Sequence, residues 1–189
     1  MDVEKLAIPE VMVLRPVRHQ DDRGFFCETY NRRTLAECGI ETEFVQDNHA
    51  LSRRKGTVRG LHFQIPPFGQ DKLIRVVRGA ILDVAVDIRF GSPTYGRHVS
   101  VVISASEGNQ IFVPACFAHG IATLEPDTEV VYKVSNHFSA AHDRGVLWND
   151  PDLGIDWPVG EADVTLSDKD RAQPRFADLE DWFRYDRGG

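Results

Sequence analysis

Over much of this chain apolar and polar residues alternate with a period of two, the signature of half-buried β-strands. The stretch LIRVVRGAILDVAVDI, Leu73 to Ile88, is rich in Val and Ile and predicts two strands with a turn at Gly79. In its second half Leu82, Val84, Val86 and Ile88 share one face and Asp83, Ala85 and Asp87 share the other, because successive side chains point to opposite sides of a strand. HVSVVISA, NQIFVPA, HGIATLE and TEVVYKVSNHF predict further short strands, punctuated by Gly and Pro in FGSPTYG, SEGN and LEPDT. Many short strands at this spacing imply an all-β antiparallel barrel or jelly roll. Helical signal is confined to NRRTLAECG, with Asn31 as N-cap and Gly39 just past the end, and to LEDWF near the C-terminus.

Composition narrows the class. A chain of 189 residues, 42% hydrophobic and 27% charged, predicts one globular domain over residues 1–189 with an ample core. The net charge of -7 argues against a nucleic-acid partner, which requires a basic footprint, but leaves room for one anionic small molecule held by local Arg and Lys. Cys27, Cys38 and Cys116 are odd in number and lack C-x-x-C spacing, which suggests reduced thiols. With no basic-then-apolar leader pattern and no apolar run of roughly 20 residues, the expected location is cytoplasmic and no membrane partner is expected. Gly-x-Gly-x-x-Gly and P-loop patterns are both absent.

The chemistry-bearing residues begin with RGLHFQ, Arg59 to Gln64. Alternation puts Gly60, His62 and Gln64 on one face and Leu61 and Phe63 on the other. A polar, small-residue face in a small barrel points to a ligand cavity. His62 is open to three readings there: metal ligand, general base, or core histidine with its hydrogen bonds satisfied. An H-x-H pair would favour a metal, but the second position is Gln64, a poor ligand for zinc or iron, and His119 in PACFAHG does not complete a ligand set. Tyr132, on a face with Val130 and Val134, reads either as an outward barrel tyrosine or as a general acid. Ser167-x-x-Asp170 resembles a capping box, and the same carboxylate could instead orient a histidine. Arg23, Glu28, Arg59, Lys72 and Lys169 each read singly as solvated charges, and together as a set able to hold a diphosphate and a nucleoside.

Eight fragments then occur in one order: DDRGFFCETYN, FVQDNHALS, GTVRGLHFQIPPFGQDKLIRVVRG, LDVAVDIRFGSPTYG, VPACFAHGI, VYKVSNHF, GVLWNDPDLGIDWP and LSDKD. Spread over roughly residues 3 to 176, they resemble the dTDP-4-dehydrorhamnose 3,5-epimerase family of deoxysugar enzymes. The resemblance implies a cupin-type jelly-roll barrel with a few short helices, built as a homodimer that needs no metal or organic cofactor. It implies epimerisation of dTDP-4-dehydro-6-deoxy-D-glucose at C3 and C5 to dTDP-4-dehydro-L-rhamnose. Carried over by motif, His62 is the general base, Tyr132 the opposing acid, and Asp170 the residue that orients His62. Lys72 and Arg59 stabilise the oxyanion or bind close by. Arg23, Glu28, Gln46, Asn48, His119, Asp143 and Lys169 line the nucleotide-sugar site, and Asp83 orients His119.

These residue types suit the reaction. C3 and C5 flank the C4 ketone, so removing either proton gives an enolate. A histidine with a pKa of about 6.5 suits a base at neutral pH, and a fixed cation lowers the barrier to the oxyanion. Inversion requires a proton from the other face of the ring, hence a second group. Two departures stand out. Strict alternation places Arg59 and His62 on opposite faces, so sharing one site requires a bulge near Gly60. Where relatives carry two aromatic residues, this chain has His137 and Phe138; Phe138 can stack on thymine but lacks a hydroxyl. Relatives that invert only C3 or only C5 are the other reading of the motif set, followed by a metal-dependent cupin and a non-catalytic nucleotide-sugar binder.

Overall fold

The structure is a computed structural model that describes residues 1–186. Its strands are β1 (Asp2–Lys5), β2 (Met12–Arg15), β3 (Arg18–Asp21), β4 (Gly24–Cys27), β5 (Gln46–Ser52), β6 (Val58–Gln64), β7 (Lys72–Arg78), β8 (Ala80–Asp87), β9 (Arg89–Phe90), β10 (His98–Ser104), β11 (Gln110–Val113), β12 (Phe117–Thr123), β13 (Thr128–Val134), β14 (Asp143–Gly145) and β15 (Phe183–Arg184). Two short helices, α1 (Arg32–Glu37) and α2 (Asp168–Arg171), complete the set with one 3₁₀ turn at Phe176–Asp178. A six-stranded sheet runs β1-β2-β11-β7-β13-β5, and a five-stranded sheet runs β10-β8-β12-β6-β14. Every pairing within these two sheets is antiparallel.

The expectation of a β-rich fold with few short helices holds. The strands form two separate ladders, however, and among the described residues they do not close into one hydrogen-bonded barrel. Gly79 (φ +78°) marks the reason: the chain turns there not into a hairpin but from β7 in one sheet to β8 in the other. A Cβ at that position would lie 2.5 Å from Thr128 Oγ1, so the crossover needs glycine.

Side-chain alternation builds three apolar layers. Ile74, Val76, Ile111 and Val130 of the six-stranded sheet meet Ile81, Ala85, Ile103, Phe117 and Ile121 of the five-stranded sheet between the two. The opposite face of β8, carrying Val84 and Val86, packs with Ile88 just past its end and with Leu61 and Phe63 beneath the C-terminal segment through Ile155, Trp157, Phe176, Trp182 and Phe183. This explains why β8 is buried almost throughout: both of its faces are covered. On the outside of the other sheet Leu35 and Ile40 cover Met12, Leu14, Leu73 and Phe112.

The helix predicted at NRRTLAECG forms as α1. Asn31 caps it by accepting from the Arg33 amide at 3.0 Å, and the chain leaves the helix through Cys38 and Gly39. LEDWF is not helical. The 3₁₀ turn ends before it, and Phe183 and Arg184 pair in parallel with Arg89 and Phe90. An extended chain lets Leu179, Trp182 and Phe183 all reach the outer face of the five-stranded sheet. No helix among the described residues is long and apolar enough to cross a membrane.

Candidate active site

The placement of Arg59 depends on an irregularity in β6. His62 sits opposite His119, but Arg59 sits opposite Ile121, so three steps along β6 match two along β12. One extra residue reverses the alternation and brings Arg59 onto the face that carries His62. Gly60 makes this possible. Its φ is +144°, and a Cβ there would stand 2.5 Å from the Gly120 Cα. Arg59 then reaches across to the other sheet, where Nε donates to Ser52 Oγ at 3.1 Å and the guanidinium donates to the Leu51 carbonyl at 3.2 Å.

His62 Nε2 lies 2.5 Å from Asp170 Oδ1. The other carboxylate oxygen of Asp170 accepts from Ser167 Oγ at 2.8 Å, while the Asp170 amide donates back to that hydroxyl at 3.1 Å. The cap and the histidine partner, open from spacing alone, are therefore both present. Ser167 starts α2, and the start of α2 delivers Asp170 to His62. Burial pushes the Asp170 carboxyl upward, but the bonds from His62 and Ser167 and the nearby Lys169 ammonium outweigh it and hold it below its ordinary value.

Lys72 stands at the start of β7, 8% exposed. Its ammonium donates to the His62 carbonyl at 3.1 Å. Burial lowers its pKa to about 8, against the opposing pull of Asp83 and Asp143. Tyr132 on β13 has its phenol pKa raised by burial, with Arg59 pulling it down and Asp143 adding to the rise. On the five-stranded sheet, His119 Nε2 contacts both oxygens of the fully buried Asp83 at 2.9 Å, the second dyad expected from the motifs.

These groups line one cavity of about 540 Å³ between the sheets. It brings together His62, Asp170, Lys72, Tyr132, Arg59, His119, Gln46, Asn48, Phe138, Asp143 and Lys169. Lys169 and Asp143 are ion-paired at its wall. Two residues predicted to line the site are not in it, and Asp83 stands behind His119 rather than at the wall. Arg23 lies on the exposed β3–β4 hairpin, paired with Asp21 at 2.5 Å. Glu28 lines a separate recess of about 290 Å³ with Arg75 and Lys133. The cavity also includes Gln64, Gln70 and Thr165, to which no role was given. The in-facing alternation of RGLHFQ was the signal available for Gln64. Thr165 was hidden, because it reaches the wall through a parallel bridge to Thr57, over a hundred residues earlier. Among the described residues no three His, Cys, Asp or Glu side chains converge as a metal site.

His62 belongs to the five-stranded sheet and Tyr132 to the six-stranded one, so a ring held between them meets an acid–base group on each side. This defines a two-sheet β protein with titratable side chains facing one cavity from both sheets. Residues 5–178 match the family model described as dTDP-4-dehydrorhamnose 3,5-epimerase. The chain is 49% identical over 185 residues to the dTDP-4-dehydrorhamnose 3,5-epimerase of Sinorhizobium fredii, covering 98% of this chain and 94% of that one. It superposes on the Bacillus anthracis enzyme of that name, solved with TDP and PPi bound, with TM-score 0.89 at 48% identity over 92% and 98% of the two chains. It also superposes on a dTDP-6-deoxy-D-glucose-3,5-epimerase from Legionella pneumophila, solved with dTDP-4-keto-L-rhamnose, with TM-score 0.93 at 38% identity over 98% of each. The chain belongs to the dTDP-4-dehydrorhamnose 3,5-epimerase family.

Proposed function

We propose that this protein epimerises dTDP-4-dehydro-6-deoxy-D-glucose at C3 and C5, giving dTDP-4-dehydro-L-rhamnose, by proton removal and return through an enolate. The observation that carries this reading is the opposition of the His62–Asp170 dyad and Tyr132 across one cavity, with the buried Lys72 between the sheets. His62 removes the proton next to the ketone. Asp170, held ionised, stabilises the imidazolium that results. Lys72 supports the oxyanion. Its ammonium is charged at neutral pH yet poorly solvated, so negative charge appearing at the C4 oxygen is worth more to it than to a lysine in water. Tyr132 keeps its proton, because burial raises its pKa, and returns that proton to the opposite face. The substrate's own ketone accepts the electrons, so the reaction calls for no redox or metal cofactor.

The sugar nucleotide extends from this centre toward Arg59, Gln46, Asn48, Phe138, His119, Asp143 and Lys169. The fold we assign is a cupin-type jelly roll forming one domain over residues 1–189, with reduced cysteines that suit a cytoplasmic enzyme. We also assign a homodimer. The β3–β4 hairpin exposes Phe25 and Phe26 at 61% and 73%, an apolar tip that favours burial. In a dimer this hairpin carries Arg23 and Glu28 to the partner's site, which accounts for their distance from the cavity of their own chain. Light scattering on the Phe25→Ser/Phe26→Ser variant reads this: the expected outcome is a monomer with weakened substrate binding.

The function itself is tested by incubation with dTDP-4-dehydro-6-deoxyglucose in deuterated water while following the ring protons by NMR. Loss of both C3 and C5 signals is expected. Loss of one alone would make the protein a monoepimerase, and loss of neither removes the proposal.

A further inference from the structure

Gln64 takes the place where a metal-binding strand would carry a second histidine, and its surroundings show what it does instead. It is 3% exposed on the inner face of β6. Its Nε2 donates to the Phe68 carbonyl at 2.7 Å and the His137 carbonyl at 3.1 Å, while Oε1 accepts from the Ser139 amide at 2.6 Å. Two more glutamines grip the same strap between β13 and β14. Gln70 Nε2 donates to the Asn136 carbonyl at 2.8 Å, and Gln46 Oε1 accepts from the Phe138 amide at 3.2 Å. Four consecutive residues, 136 to 139, are thus held through their main chain by side-chain amides. The ring they carry, Phe138, is 59% exposed at the cavity wall.

We infer that Gln64 is a positioning residue: it fixes the His137–Ser139 backbone so that the Phe138 ring stands at a set height over the cavity as a stacking wall for the nucleobase. This rests on the nucleotide-sugar reading of the site. Gln64 is the anchor among the three, because it is buried and engages the strap from both ends of its amide. A buried amide is specific here. Replacing it by an apolar residue of similar length leaves two carbonyls and one N–H without partners, which loosens the strap without touching the acid–base groups. Because the clamp holds only backbone, it accepts different side chains at position 138, and the side chain there sets what the base meets.

The test is a double-mutant cycle on free dTDP binding by calorimetry, with Gln64→Met, Phe138→Ala and the pair, beside hydrogen–deuterium exchange over residues 136–139. Stacking of one base on an aromatic ring is worth about tenfold or more in affinity. Each single variant is expected to raise the Kd about tenfold, and the pair no further, because both remove the same interaction. KM should follow Kd while kcat falls by less than about threefold. Exchange at 136–139 should quicken in Gln64→Met. Where that variant does not fold, Gln64→Glu keeps the acceptor for Ser139 and loses both donated bonds, and is expected to give the same result. Multiplying single effects, a kcat loss equal to the loss in kcat/KM, or unchanged exchange at 136–139 would each overturn the inference. Wild-type protein that binds no dTDP would instead overturn the nucleotide-sugar reading, and the exchange arm would still decide whether Gln64 holds the strap.

Discussion

Asp170→Asn isolates the electrostatic half of the His62 dyad. Asparagine keeps the size of the side chain, and the Ser167 hydroxyl still caps the residue-170 amide, so α2 stays in place. What disappears is a negative charge 2.5 Å from His62 Nε2, on a carboxylate only 5% exposed and hence little screened by water. A charge-assisted bond of this kind contributes about 1.5–3 kcal/mol more than its absence. At about 1.4 kcal/mol per tenfold, the rate of proton removal should fall roughly 10- to 150-fold. The charge matters most once His62 has taken the substrate proton, so kcat and kcat/KM should fall together while dTDP affinity is kept. Deuterium incorporation at C3 and C5 measures the step directly. The wild-type carboxyl titrates lower when folded than when unfolded, so between the two values the unfolded chain binds more protons. The contribution of Asp170 to stability is therefore full above about pH 4, the unfolded value, and is lost as pH falls through the folded one. Asp170→Asn should flatten that acid-side loss in urea titrations. An exchange rate within threefold of wild type, or a loss confined to KM, would refute the dyad as the working base.

Three other perturbations separate the remaining parts. Tyr132→Phe should still wash deuterium into the sugar but return it on the face from which the proton left, so NMR would show exchange without inversion. Lys72→Met should lower kcat by about 10²- to 10³-fold as the oxyanion loses its cation. It should also stabilise the fold at pH 7 by up to about 3 kcal/mol, since it removes an ammonium whose pKa burial depresses to about 8; that gain should shrink between pH 8 and 10, where the wild-type folded state no longer binds the proton and the unfolded chain still does. Gly60→Ala should cost about 3 kcal/mol in denaturant unfolding and displace both Arg59 and His62, because its Cβ meets the Gly120 backbone at 2.5 Å.

What could be read in advance follows from how local each signal is. The strands from Leu73 to Val134, the Asn31 cap and the two faces of β8 rest on neighbours one to four residues apart, and they form as the pattern requires. Position-by-position alternation also foresaw the conflict at Arg59, and the bulge at Gly60 resolves it. Long-range partnerships were not legible. LEDWF has a helical look, but the apolar surface left on β8 and β6 draws it out into an extended strap. Asp170 reaches His62 across more than a hundred residues because Ser167 begins a helix at that spot, and spacing alone cannot say what an N-terminal carboxylate will face.

The two-sheet construction itself suits inversion. Stereochemical inversion requires groups on both sides of a ring, and a single sheet can present reactive side chains to only one. Here β6 and β12 supply His62 and His119, held by Asp170 of α2 and Asp83 of β8, while β7 and β13 supply Lys72 and Tyr132 from across the gap. The division also separates the charges. Asp170 and Asp83 are each hydrogen-bonded to a histidine; Asp83 and Asp143 act on the Lys72 ammonium through space, while its hydrogen bond among the described residues goes to a neutral carbonyl. A buried cation left with unmet donors facing a cavity is stabilised by whatever negative charge arrives there. In the proposed reaction the C4 oxygen gains negative charge when a proton leaves the carbon next to the ketone, and on that reading Lys72 favours the enolate over the ground-state sugar.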